Sequence, residues 1–200
     1  MALENGTKSD LVLDSKYAQI KTKLVKQLPL ALRWLALMAT TTAAIGMGLN
    51  KQSKTSVVAI VGTQPISQTF TAKFQQTPAF VYFVAANAMA SFYNIMLVLL
   101  RPFFKGRENA LCVHILDLVI MVIVATGAAA TSSMAELGKD GNVHARWNPI
   151  CDKFSAFCLH GGMALISSFA GTLDLFVLNI HSLVSLHRSV QGQQPVDPSV

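Results

Sequence analysis

The sequence predicts an all-α membrane protein, a four-transmembrane-helix bundle with both termini in the cytosol. Three observations carry that prediction. Four nearly uncharged stretches are each long enough for the roughly 20 helical residues that cross a hydrocarbon core of roughly 30 Å. Charged side chains make up only 13% of the 200 residues, against 52% apolar, and mean hydropathy is +0.45; a soluble domain carries about 25% charge. The basic residues, finally, fall unevenly on the two sides that four crossings define. A soluble enzyme, a disordered chain and a disulfide-dense miniprotein are all excluded by this composition.

The first span runs from Leu28 to Leu49, with Arg33 its only charge. It follows a 27-residue polar leader holding Lys8, Lys16, Lys21, Lys23 and Lys26, so it starts too late and runs too long for a cleaved signal peptide. Pro29 fits a first helical turn. The second span, Ala79 to Leu100, has no charge; Thr77-Pro78 precedes it and Arg101-Pro102 stops it. The third, about Leu111 to Ala135, carries His114 and Asp117 and is followed by Gly138. The fourth, Leu159 to about Ile180, carries His160 and Asp174. The chain therefore divides into a cytosolic leader over 1–27, a transmembrane domain over 28–183 and a disordered cytosolic tail over 184–200.

Four spans put both termini on one side. That side holds nine Lys and Arg, including Arg101, Lys105 and Arg107 packed into one short loop. The other side holds six: Lys51, Lys54, Lys73, Lys139, Arg146 and Lys153. Short basic loops favour the cytosol, so both termini are expected there. The sequon Asn5-Gly6-Thr7 would then go unused. The net charge of +6 comes without a basic run interleaved with aromatics, so no nucleic-acid partner is expected.

An ionisable group inside a bilayer costs about 2.5–3.5 kcal/mol at the centre, so each needs a partner or a purpose. Arg33 and Asp117 both fall roughly 8–9 Å below the inner surface, on helices that run in the same direction. Matched depth and opposite charge point to an interhelical ion pair. Snorkelling of Arg33 to the headgroups and a transport role are the alternatives. Asp174, about 9–13 Å above that surface, and His114, one turn before Asp117, are candidates for the same polar layer.

Small residues recur at four-residue spacing, Ser167 and Gly171 among them. Such pairs form close-packing seams, within one bundle or between subunits. Cys151 and Cys158 lie seven residues apart in the second outer loop, where an oxidising compartment favours a disulfide; two buried thiols are the alternative. Cys112 is expected to be a free thiol. Metal binding through His144 or His160 lacks a four-ligand spacing. Without a nucleophile elbow, phosphate loop or dinucleotide fingerprint, no catalytic residue, metal or cofactor is expected.

Several segments resemble the Casparian strip membrane domain protein-like (CASP-like) family of plants, related to the four-span MARVEL proteins. They are Leu32-Arg33-Trp34-Leu35-Ala36-Leu37, Tyr82-Phe83-Val84-Ala85-Ala86-Asn87-Ala88 and Leu116-Asp117-Leu118. Arg146-Trp147, Ile150-Cys151, Phe154, Phe157-Cys158 and Ser167-Ser168-Phe169 complete the set. The resemblance implies a non-enzymatic plasma-membrane scaffold. It implies assembly with itself and with related members, in contact with membrane lipid, into domains that organise local wall modification. Strip-forming members carry an acidic, phenylalanine-rich first outer loop. This chain has Gln68-Thr69-Phe70-Thr71-Ala72-Lys73-Phe74 and no acidic residue between Asn50 and Pro78, which points to the broader branch and away from the strip itself. The alternative function is a small channel or transporter using the intramembrane acids.

Overall fold

A computed structural model describes residues 2–61, 63–100 and 107–191. Four helices dominate: α1 (Ala2–Gly48), α2 (Pro78–Leu100), α3 (Arg107–Asp140) and α4 (Ser155–Gln191). Each contains a stretch long and apolar enough to cross a membrane: Gln27–Gly48, Pro78–Leu100, Ala110–Asp140 and Ser155–Arg188. The connection 101–106, with Arg101 and Lys105, and residues 192–200 of the expected tail lie outside the described residues.

Three helix ends differ from the sequence expectation. Helix α1 does not start at Pro29, which lies inside a 47-residue helix. The leader is rich in good helix formers, and Pro29 sits where the chain turns from polar to apolar, so water can reach the carbonyl its ring leaves unbonded. Helix α3 does not stop at Gly138. It runs to Asp140, and Gly141 takes the left-handed conformation (φ +71°) that ends a helix, its N–H bonding Leu137 O at 2.9 Å. Helix α4 continues to Gln191, eight residues into the segment read as disordered from 184. Leu183, Val184 and Leu186 extend its apolar periodicity, and Arg188 in the last turn complements the helix dipole.

The first outer loop is also more ordered than a loop. Strands β1 (Lys51–Val61) and β2 (Gln64–Lys73) pair antiparallel from Lys51↔Lys73 to Val61↔Gln64, with an irregularity between Val57 and Ala59. Cross-strand hydroxyl pairs, Ser53 with Thr71 and Thr55 with Thr69, each 2.9 Å apart, line one face. Asn50 and Gln52 fasten the base of this hairpin to α4: Asn50 Nδ2 donates to Phe157 O, and Phe157 N–H donates to Gln52 Oε1, both at 2.8 Å.

Helix neighbours run α1–α2, α2–α3, α3–α4 and α4–α1, which closes a ring and leaves α1/α3 and α2/α4 on its diagonals. Two apolar clusters fill the ring. One, at the hairpin end, is built on Ala43, Met47, Phe80, Phe83, Phe157 and Leu165. The other is built on Leu32, Ala36, Ala90, Ile120, Val124 and Leu175. Around the outside, Trp34, Met38, Phe92, Leu118, Met163 and Ile166 are exposed, as lipid-facing side chains are.

Candidate functional site

Helix α2 has no charged residue, yet its buried face carries Asn87, Ser91 and Asn94. Their spacing of four and three residues places them on one stripe of the helix. Each carboxamide first satisfies its own helix, Asn87 Nδ2 donating to Phe83 O and Asn94 Nδ2 to Ala90 O, both at 2.9 Å. The oxygens are thereby aimed into the bundle, where Ser168 and Arg33 donate to them.

Asn94 belongs to the layer of the intramembrane charges. Arg33 reaches across from α1 to α3 and donates Nη1–H to Asp117 Oδ1 at 3.0 Å and Nη2–H to Oδ2 at 2.7 Å. This two-pronged geometry is what a planar guanidinium offers a carboxylate and a lysine cannot. Tyr93 of α2 donates its hydroxyl to the same Oδ1 at 2.8 Å, and Asn94 Oδ1 receives Arg33 Nη1 at 3.5 Å. Asp117 is fully buried and Arg33 only 13% exposed at its side chain, so neither charge is left to the lipid. Three helices thus converge on one carboxylate.

About 10 Å further along α2, at the 1.5 Å rise per residue of seven residues, lies a second polar layer. Ser168 of α4 donates to Asn87 Oδ1 at 3.0 Å, tying the α2/α4 diagonal. Thr40 of α1 stands 2.9 Å from Ser91, whose hydroxyl donates to Asn87 O. Asn87, Thr40 and Ser168 are all fully buried.

His114 and Asp174 are not drawn into either layer: neither bonds Arg33 or Asp117, and His114 Nδ1 and Asp174 Oδ2 are buried without a hydrogen-bond partner. The seam residue Gly171 is buried against α1, where an added Cβ would stand 3.2 Å from Thr40 Cγ2 and 3.3 Å from Ala39 Cβ. Ser167 is half-buried one turn earlier on α4. Gly171 thus packs against α1 within the bundle. At the hairpin end Cys151 and Cys158 form a disulfide with Cα atoms 5.7 Å apart, while Cys112 is a free, exposed thiol.

Tyr93, Asn94, Asn87, Ser91, Thr40 and Ser168 were not singled out by the charge pattern. The signal that could find them is the helical spacing of Asn87, Ser91 and Asn94 inside an otherwise apolar span, since in lipid such a stripe must face protein.

Residues 22–173 match the family model for the Casparian strip membrane protein domain. The chain is similar to CASP-like protein 1B2 of Oryza sativa subsp. indica, 53% identical over 196 residues, covering 96% of this chain and 100% of that one. It is 54% identical over 180 residues to CASP-like protein 1B1 of Sorghum bicolor, covering 90% and 85%. Against CASP-like protein 1B2 of Populus trichocarpa it is 46% identical over 191 residues, covering 93% and 94%. No solved structure matches.

Proposed function

The chain belongs to the Casparian strip membrane protein domain family, and from that premise we propose that it is a non-enzymatic plasma-membrane scaffold. In this reading it self-associates with copies and relatives, with both termini in the cytosol. The observation that carries the reading is how the intramembrane charge is used. Arg33 and Asp117 close on each other and on Tyr93, in a geometry that holds helices together around a fully buried carboxylate. A transport acid needs an accessible face for its cargo, whereas Asp117 is buried and paired with a fixed cation.

With Gly171 committed to α1, association falls to surfaces outside the ring. The hairpin is the strongest of these. It is a two-stranded sheet with two unpaired edges and exposed Val57, Val58, Ile60, Ile66 and Phe70. Isolated hairpins are marginal in water, and open edges pair readily with another strand. A tip-to-base length of about 35 Å gives room for that pairing above the membrane.

The test is photobleaching of a fluorescent fusion together with co-purification of two differently tagged copies from mild detergent. A scaffold gives slow, incomplete recovery in patches and recovers one tag with the other; a variant with residues 52–72 replaced by a short Gly/Ser link loses both. Fast, complete recovery without co-purification means a freely diffusing monomer. A channel or transporter is then the reading to pursue, because Asp174 Oδ2 and His114 Nδ1 are buried without partners. Ion flux into liposomes carrying purified protein tests that one.

A further inference from the structure

At the hairpin end the four helices do not close completely. A cavity of about 450 Å³ opens there among α1, the first turn of α2, the end of α3 and the first turns of α4, within the 300–1,000 Å³ range of small-ligand sites. Met47, Phe80, Met134, Phe157 and Leu165 form its walls. Methionine side chains adapt to an apolar ligand without one fixed shape, and the phenylalanine rings add apolar area. Its rim carries Glu136, Lys139 and Asp140 from the last turns of α3, and the Cys151–Cys158 disulfide closes one side.

The backbone itself makes the room. Gly161 and Gly162 stand side by side in the wall, although a glycine inside a helix costs about 1 kcal/mol relative to alanine. The bundle's packing glycines show their reason at once, since a Cβ on Gly171 or Gly127 would press on a neighbouring helix at 3.2–3.3 Å. A Cβ on Gly162 would meet nothing within 4 Å. Gly162 serves no helix contact, and what its missing side chain leaves is cavity.

We propose that this cavity holds one hydrocarbon chain of a bilayer lipid whose head is zwitterionic or a neutral hydroxyl. The position argues for the bilayer as the source. From Phe157 to Leu165 the cavity follows α4 for about 12 Å along its membrane-crossing stretch, at 1.5 Å per residue. The intervening Leu159 and Met163, and Ile166 beyond them, are exposed toward lipid on the same helix. The rim argues for the head. One ammonium and two carboxylates give a zwitterion a partner for each sign and give a hydroxyl both donors and acceptors, whereas an anionic head meets net repulsion. The inference stands apart from self-association, and its test is blind to the oligomeric state.

The experiment uses the full chain in nanodiscs of phosphatidylglycerol doped with a phosphatidylcholine bearing a diazirine in one acyl chain, followed by irradiation and peptide mass spectrometry. Labelling is expected on cavity residues Met47, Met134 or Phe157, and tenfold excess unlabelled phosphatidylcholine should lower it about tenfold. Label on Leu159, Met163 and Ile166, which touch bulk lipid, should be insensitive to the competitor. In Gly162→Leu, cavity label should fall by about tenfold, the effect of overfilling a site by 1–3 kcal/mol, with bulk label retained. The competition arm uses the native chain, so a folding defect in the variant does not decide the outcome. Label confined to the bulk-facing residues, or cavity label unmoved by competitor, overturns the proposal. Equal cavity label from a diazirine phosphatidylglycerol overturns the head-group assignment. Cavity label from water-soluble diazirinyl benzyl alcohol, with none from the lipid, gives the site to a water-borne molecule and also overturns it.

Discussion

Arg33 of α1 and Asp117 of α3 meet across a diagonal of the helix ring, guanidinium to carboxylate through two parallel hydrogen bonds. Diagonal helices are the pair with the least backbone contact, so side chains have to join them across the bundle. Arginine has the reach, and the fork fixes the rotation of both helices as well as their distance.

Removing either partner leaves the other charge buried and uncompensated. Arg33→Ala and Asp117→Ala should each destabilise the bundle by about 3–5 kcal/mol. Tyr93→Phe, which keeps the ion pair and deletes one charge-assisted bond, should cost about 1.5–3 kcal/mol. The exchange Arg33→Asp with Asp117→Arg should recover part of the loss, because the Tyr93 hydroxyl then faces the wrong sign. Thermal melts in detergent rank the four variants. An exchange no better than the worse single mutant would argue against direct pairing.

Peptide mapping of non-reduced, alkylated protein should find the peptides of Cys151 and Cys158 linked and Cys112 alkylated alone. Replacing both with Ser should cost about 2 kcal/mol, the scale for so short a closed loop. Recovery of both as alkylated thiols refutes the bridge.

Glycines at two sites should respond in opposite senses. Gly171→Leu, facing Thr40 and Ala39 at 3.2–3.3 Å, should prevent folding or surface delivery, and even Gly171→Ala should destabilise, within the about 1–3 kcal/mol typical of overpacking. Gly162→Ala should instead stabilise by about 0.4–1 kcal/mol, since nothing opposes its methyl. Co-purification yield, normalised to folded protein, should be unchanged in Gly171→Ala, because the seam is internal.

Gly141 is irreplaceable for a different reason. Its φ of +71° disfavours any side chain, and a Cβ would stand 2.6 Å from Trp147 O. Gly141→Ala should therefore destabilise by more than about 1 kcal/mol. Gly138→Ala, inside α3 with Ile150 at an ordinary 3.5 Å, should be neutral or stabilising. Proteolysis of the 141–154 loop in intact vesicles compares the two.

Much of the fold is legible because a bilayer imposes length: each span must reach about 20 apolar residues, and the four stretches do. The matched depth of Arg33 and Asp117 can be counted from the span ends. Tyr93 and Asn94 cannot be placed that way, since an uncharged polar residue carries little hydropathy signal and its partner depends on helix rotation. The hairpin is not legible in this way, because Lys51–Ser56 is polar throughout and Val57–Val61 apolar throughout, so the strand shows no period-two alternation. The end of α3 is not legible because Gly138 and Gly141 look alike in sequence; only the backbone conformation separates a helical glycine from a terminating one. The internal place of Gly171 depends on which helix lies beside α4, and no residue spacing within α4 contains that.

With one diagonal tied by Arg33 and Asp117 and the other by Asn87 and Ser168, single helices lose the freedom to slide or roll against their neighbours. A bilayer thicker or thinner than the spans must then be met by tilt of the whole ring, or by deformation of the lipid around it. The hairpin, bound at its base to α4 through Asn50 and Gln52, leans with the ring. Local membrane thickness thereby sets the angle at which its two open strand edges stand.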